Sequence, residues 1–186
     1  MEPDIAAAPE LHTPSPYRAS DISAVLIARG WLNESSLCSG GDAFGEWCDR
    51  AATLLGPHAP GLDDLAALLD LIARYDAQEI LARPESHAVL VREGARDVLR
   101  ELAAMLLDGP EVDSDRYKQI ITALKERTGR RGQELFHPIR LALAGRAGEG
   151  ELDRVILLLD SAARLGFQQP VKSNRKRILE FCGAME

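Results

Sequence analysis

Apolar residues recur every three to four positions along most of the chain, which is the period of a helix and not of a strand. Ser20 or Asp21 can cap a first helix whose stripe is Ile22, Val25, Leu26 and Ile27, ending at Gly30. Trp31 and Leu32 follow as core anchors, and the polar run 33–41 reads as a loop through Ser39-Gly40-Gly41. A second helix starts at Asp42, turns Phe44, Trp47, Cys48, Ala51, Leu54 and Leu55 inward, and stops at Gly56-Pro57. Leu62, Leu65, Leu68, Leu69 and Ile72 predict a third, ending near Tyr75-Asp76. Pro84 to Val91 reads as a short helix. Beyond Gly94 a stronger one buries Val98, Leu99, Leu102, Met105 and Leu106 until Gly109-Pro110 ends it.

The second half repeats the pattern. Asp113-Ser114-Asp115 suits a helix N-terminus, where negative charge meets the positive end of the dipole. Tyr117, Ile120, Ile121 and Leu124 face inward from that helix, with Lys118, Lys125 and Arg127 largely on other faces. A later helix from about Glu151 carries Leu152, Val155, Ile156, Leu159, Ala162 and Leu165. The last begins at Ser173 with Arg175, Lys176 and Arg177 in its first turn, the end where the dipole disfavours cations. That mismatch calls for an anion from another molecule or for a neighbouring Asp or Glu. The expectation is an all-α, two-lobed, cage-like bundle of about eight or nine helices. Residues 1–19, with Pro3, Pro9, Pro14 and Pro16, are expected to form a flexible arm, 20–110 a first lobe and 111–186 a second.

Charge sharpens that division. Residues 1–112 hold 8 Arg and Lys against 19 Asp and Glu, a net of −11; residues 113–186 hold 14 against 10, a net of +4, and every lysine. An acidic whole opposes sequence-blind nucleic-acid binding, while a basic second half leaves room for a defined phosphate-contacting face. Three cysteines, Cys38, Cys48 and Cys182, without Cys-x-x-Cys spacing point to reduced thiols in a cytoplasmic protein. No apolar run approaches a membrane span, and the acidic, Pro-rich start resembles no targeting peptide.

Chemistry is sparse. His12, His58, His87 and His137 are scattered, with no His-x-x-x-His pair and no carboxylate cluster of metal-ligand design, so no metal or cofactor is expected. Ser39-Gly40-Gly41 lacks the lysine and preceding strand of a phosphate loop, and no base is placed beside Cys48. The most distinctive stretch is Arg130 to Arg146. Gly129 and Gly132 interrupt the preceding helix, Leu135-Phe136 is an apolar anchor, and Pro138 suits the first position of a short helix. Gly145 suits its left-handed cap. Arg140 is then one cation in an apolar turn bracketed by Arg130, Arg131 and Arg146, a residue for an internal carboxylate or for a phosphate.

The run Gly-x-x-Leu-Phe-x-Pro-Ile-Arg-x-Ala-Leu-x-Gly over 132–145 resembles the signature in the all-helical anticodon-binding region of bacterial glutamyl-tRNA synthetases. Leu62 to Ile80, Leu152 to Leu165 and Arg175 to Phe181 resemble further helices of that region. The chain departs from it at Ala144, where the family usually has Thr, and at Gly150-Glu151, where it has Gly-Pro. Residues 1–19 and 166–174 do not align. The catalytic domain's His-x-Gly-His and Lys-x-Ser-Lys motifs are not found in the required context, and the run Lys172 to Arg177 only superficially resembles the second.

The resemblance implies a non-catalytic tRNA-binding protein, acting free-standing or in trans with a separate synthetase catalytic subunit, and glutamate-type tRNA as ligand. Candidate contacts are Arg130, Arg131, Arg140, Arg146, Lys172, Arg175, Lys176 and Arg177, with Arg50 near where the family places an anticodon-contacting arginine. The alternative is a helical scaffold that keeps the fold and works through protein contacts. Low aromatic content (5%) favours it, since Trp31, Trp47 and Phe136 read as core rather than as stacking platforms.

Overall fold

A computed structural model of the chain describes residues 14–186, and of residues 34–40 the backbone alone. Most of the expected arm, His12 and the side chain of Cys38 lie outside that description. Among the described residues there are ten α-helices and no strand, so the all-α expectation holds. They are α1 (Ala19–Ala28), α2 (Glu34–Leu55), α3 (Leu62–Ala73), α4 (Ala77–Leu81), α5 (Pro84–Leu90), α6 (Ala95–Leu107), α7 (Ser114–Thr128), α8 (Gln133–Ala144), α9 (Glu151–Ala163) and α10 (Asn174–Ala184).

Caps explain most boundaries. Asp113 accepts the Arg116 N–H at 2.7 Å, Asp64 accepts that of Gly61 at 3.0 Å, and Ser173 accepts that of Lys176 at 3.3 Å. Asp21 serves α1 from inside, accepting the Arg18 N–H at 2.8 Å. The expected loop at 33–41 is largely helical backbone, broken at Gly41 (φ 52, ψ −137) just before Asp42. The additional short α4 starts at Asp76, whose carboxylate accepts the N–H groups of Gln78 and Glu79.

α8 and α9 form the centre. Leu135 and every residue from Pro138 to Ala144 are buried on α8, as are Leu152, Val155, Ile156, Leu157, Leu158, Leu159, Asp160 and Ala162 on α9. α2 and α3 pack on α9, while α5, α6, α9 and α10 surround α8. One apolar cluster runs from Ile22 to Phe181 and draws on both halves of the chain. Trp31 and Trp47 belong to it as expected. Trp47 donates Nε1–H to the Leu158 carbonyl at 3.3 Å, and Phe167 meets Phe44 and Trp47 edge-on with centroids 5.4 Å apart. Residues 14–18 are seated too: Ser15 Oγ donates to the Ala52 carbonyl at 2.7 Å and Tyr17 Oη to that of Ala59 at 3.1 Å. No helix among the described residues is long and apolar enough to cross a membrane.

Candidate nucleic-acid interface

α8 sets the geometry of the distinctive stretch. Gly132 takes φ 55, ψ −136, a conformation closed to other residues, and lets the chain turn from the α7 exit into α8. The helix begins at Gln133, so Pro138 lies inside it rather than at its first position. Its missing N–H forfeits one bond, and Leu135 and Phe136 still close the first turn on the Gly132 carbonyl. Gly145 (φ 84) ends the helix as expected, its N–H reaching the carbonyls of Arg140 and Leu141.

Arg140 points inward. Its side chain is 9% exposed, and Nε and Nη2 donate to the two oxygens of Asp153 at 2.9 and 2.7 Å. Nη1 donates to the Gly148 carbonyl at 2.6 Å, and Tyr117 Oη donates to Asp153 at 2.7 Å. Burial lowers the Arg140 pKa and the bond to Asp153 raises it; the net direction is upward, so the guanidinium keeps its charge. Burial, then the Asp153 charge, pushes the Tyr117 phenol up.

Arg177 is fully buried, with no carboxylate bonded to it among the described residues. It donates to the carbonyls of Lys172 (3.1 Å), Leu71 (2.9 Å), Leu143 (2.8 Å) and Ile72 (2.7 Å), and lies 4.5 Å from the Tyr75 ring centroid. Leu71, Ile72 and Leu143 sit in the last turns of α3 and α8, whose orphan carbonyls and negative dipole ends it meets. Desolvation by burial pushes its pKa down to about 10, which still leaves it charged at neutral pH. The α10 dipole finds its anion inside the molecule: buried Asp160 accepts the Asn174 N–H at 2.8 Å and the Val112 N–H at 2.7 Å. Both arginines therefore serve the fold: Arg177 is fully buried, and Arg140 spends three of its five N–H groups on Asp153 and Gly148.

The other candidates divide in two. Lys172 is engaged, donating to Glu180 at 2.6 Å and to the Tyr75 carbonyl at 3.0 Å. Arg130 sits against Gly94 and reaches Glu93 and Glu134 at 3.4 Å each, with a quarter of its side chain exposed. Arg131, Arg146, Arg175 and Lys176 are exposed, with no partner to their side chains among the described residues, and Arg50 is half-buried. They are not gathered into one patch, for Arg131 and Arg146 flank opposite ends of α8 and Arg175 starts α10.

Sequence reasoning missed a cleft of about 480 Å³ between α7 and α9. Tyr117, Lys118, Ile121 and Lys125 line it from one face of α7, Phe136 from α8, and Asp153 and Leu157 from α9. Phe136 is half-buried, not core, with the Arg140 guanidinium 4.8 Å and the Lys125 ammonium 5.9 Å from its centroid. The spacing 117, 118, 121, 125 on one helix was the available signal.

Cys48 is buried and desolvation pushes its thiol up to about 11, the setting of an inert thiol. Among the described residues no three His, Cys, Asp or Glu side chains are grouped to hold a metal ion.

Comparison with known proteins now adds the family. Residues 27–163 match the model of the Anticodon binding domain, a span that includes Arg50 and the whole 130–146 stretch but stops short of α10. Glutamate–tRNA ligase 2 of Syntrophus aciditrophicus is 31% identical over 137 residues, 74% of this chain and 26% of that protein. Glutamate–tRNA ligase of Bacillus subtilis is 35% identical over 114 residues, 61% of this chain and 23% of that protein. Glutamate–tRNA ligase 1 of Maricaulis maris is 37% identical over 86 residues, 44% of this chain and 19% of that protein. The chain thus spans about a quarter of the length of the first curated relatives it matches. No solved structure matches. With a family model that matches residues 27–163, most of the described helices, the chain belongs to the Anticodon binding domain family.

Proposed function

We propose that this domain binds tRNA through the cations of its basic half, residues 111–186, and performs no chemistry of its own. The observation that carries the reading is the family membership over 27–163. The exposed side chains of Arg131, Arg146, Arg175 and Lys176, without a partner among the described residues, support it, because guanidinium and ammonium groups open to solvent are what phosphate oxygens require. The relatives' names support glutamate-type tRNA as the ligand. The reading extends to a cytoplasmic setting and to use either free-standing or in trans with a separate synthetase catalytic subunit. Arg130 and Lys172 join the contact set by exchanging carboxylates for phosphates, and Arg50 contributes from α2. Arg140 and Arg177 act indirectly, by fixing the helices that carry the others.

The test is titration with bulk tRNA at several salt concentrations. Affinity falls steeply with salt, and each phosphate-contacting cation replaced by Ala lowers the log–log slope by about one unit. Sequencing the RNA that copurifies with the chain identifies the tRNA, and a synthetase subunit in the same eluate supports use in trans. A scaffold working through protein contacts is the second reading. It is favoured by the internal commitment of Arg140 and Arg177, and it gives no tRNA binding at any salt concentration.

A further inference from the structure

Residues 14–18 read Pro-Ser-Pro-Tyr-Arg, and their exposure alternates. Pro14, Pro16 and Arg18 face solvent while Ser15 and Tyr17 face the body, the period of an extended chain. The two prolines bring no N–H, and among the described residues no backbone–backbone hydrogen bond ties 14–17 to the rest of the molecule. Two side-chain hydroxyls do the seating, Ser15 on the Ala52 carbonyl in the last turn of α2 and Tyr17 on the Ala59 carbonyl beyond it. The seat is a groove of small residues, Ala52, Gly56 and Ala59, all buried. It is cut to this occupant: a Cβ on Gly56 would lie 1.9 Å from Ser15 Oγ, 2.9 Å from Ser15 Cβ and 3.4 Å from the Tyr17 ring. Gly56 has ordinary helical angles (φ −54, ψ −45), so the glycine supplies room for the strap and not backbone freedom.

What the strap sits on has little hold of its own. Between α2 and α3 the chain makes a single 3₁₀ turn, Gly56–His58, closed by one bond from the Ala59 N–H to the Gly56 carbonyl at 3.2 Å. Pro57 and Pro60 contribute no donor. We propose that residues 14–18 are a latch: seated, they fix the α2–α3 connection in one conformation; unseated, they release it. Release strands no helical group, because the Ala52 carbonyl keeps its bond from the Gly56 N–H, and water replaces Tyr17 on the Ala59 carbonyl. The latch acts within one chain. Arg18 is already the N-cap of α1, its N–H held by Asp21, which leaves no hinge for exchange with a second copy. Its reach extends to the first half's share of the interface. His58, inside the turn, lines the cleft between α7 and α9, and Arg50 lies two residues before Ala52 on α2. The latch stands on these contacts alone, while its effect on binding rests on the tRNA reading: a connection already fixed presents Arg50 and the His58 edge with no ordering cost at binding.

The experiment uses the full chain with Gly56→Ala, a methyl that strains no backbone and whose three nearest neighbours are all strap atoms. Deuterium exchange of the peptide covering 53–61 quickens about tenfold, the weight of the two lost bonds, while peptides of α6 and α8 are unchanged. Chymotrypsin cleaves after Tyr17 correspondingly faster. In a Ser15→Gly/Tyr17→Ala background the strap has already lost its anchors, so exchange starts fast and Gly56→Ala adds nothing. Tyr17→Phe keeps the ring and drops one bond, gives about a threefold change, and decides the matter if Gly56→Ala proves unfolded by circular dichroism. Bulk tRNA binds the Gly56→Ala chain about threefold more weakly with an unchanged salt slope, because no cation is lost. Unchanged exchange, or equal increments in both backgrounds, overturns the latch. Faster exchange with undiminished tRNA affinity overturns its link to binding and leaves the tRNA reading intact. Failure of the unaltered chain to bind tRNA overturns that reading, and the exchange cycle still decides the latch.

Discussion

The two buried arginines make an instructive pair. Arg140, in the middle of α8, is neutralised by a carboxylate in a two-pronged ion pair; Arg177, at the start of α10, bonds no carboxylate among the described residues and leans on four carbonyls. The first sits behind the wall of a cleft and shapes a surface. The second has no surface at all and joins the C-terminal ends of α3 and α8 to α10. A cation in sequence thus signals a need for negative potential, and peptide dipoles satisfy that need as well as phosphates do.

The most damaging way to break the comparison is Arg177→Met. It leaves four carbonyls without their donor, those of Ile72 and Leu143 in buried bonds, and should cost about 3–5 kcal/mol in urea unfolding. Arg177→Lys keeps the charge but not the planar fork, and should recover only part of that loss. Asp153→Asn comes next, at about 2–3 kcal/mol, because Arg140 then keeps a charge without its counter-ion while the Gly148 carbonyl and the amide oxygen still accept from it.

Smaller is the effect of His137, on α8. Burial, then Arg92, whose Nη1 lies 3.1 Å from Nδ1, and then Arg140 lower its pKa below the ordinary 6.5, while Glu149 opposes them. The unfolded chain therefore binds more protons than the folded one below pH 6.5, and stability falls as pH drops through that value toward the lowered folded one. Melting curves between pH 7.5 and about 5 should show a drop that His137→Gln flattens. Smallest is Arg131→Ala with Arg146→Ala, within about 0.5 kcal/mol of unchanged stability. The same double variant should still reduce the salt slope of tRNA binding, which separates contact from scaffold roles.

Much of the fold was legible because α3, α6 and α7 each bury one helical stripe, and the apolar run of α9 is buried on nearly every face. α4 escaped because five residues carry too little periodicity, although Asp76 announces its start. The start of α8 was placed at Pro138 because proline favours first turns, yet a proline inside a helix forfeits only one bond when neighbours hold the rest. At the site, Arg177 read as a surface cation from its basic neighbours. Its true face was written in Asn174 and Phe181, three positions before it and four after, both buried. Phe136 read as core from its neighbours in sequence, whereas its exposure is decided by α7 and α9, which arrive from elsewhere in the chain.

Asp160 has a consequence for how the molecule opens. One carboxylate accepts both the Val112 N–H, in the connection before α7, and the Asn174 N–H at the first residue of α10. Fraying of the C-terminal helix and loosening of that connection therefore cannot proceed independently. The two amides should exchange with deuterium at matched rates, as a single latch released in one event, and Asp160→Asn should accelerate both together.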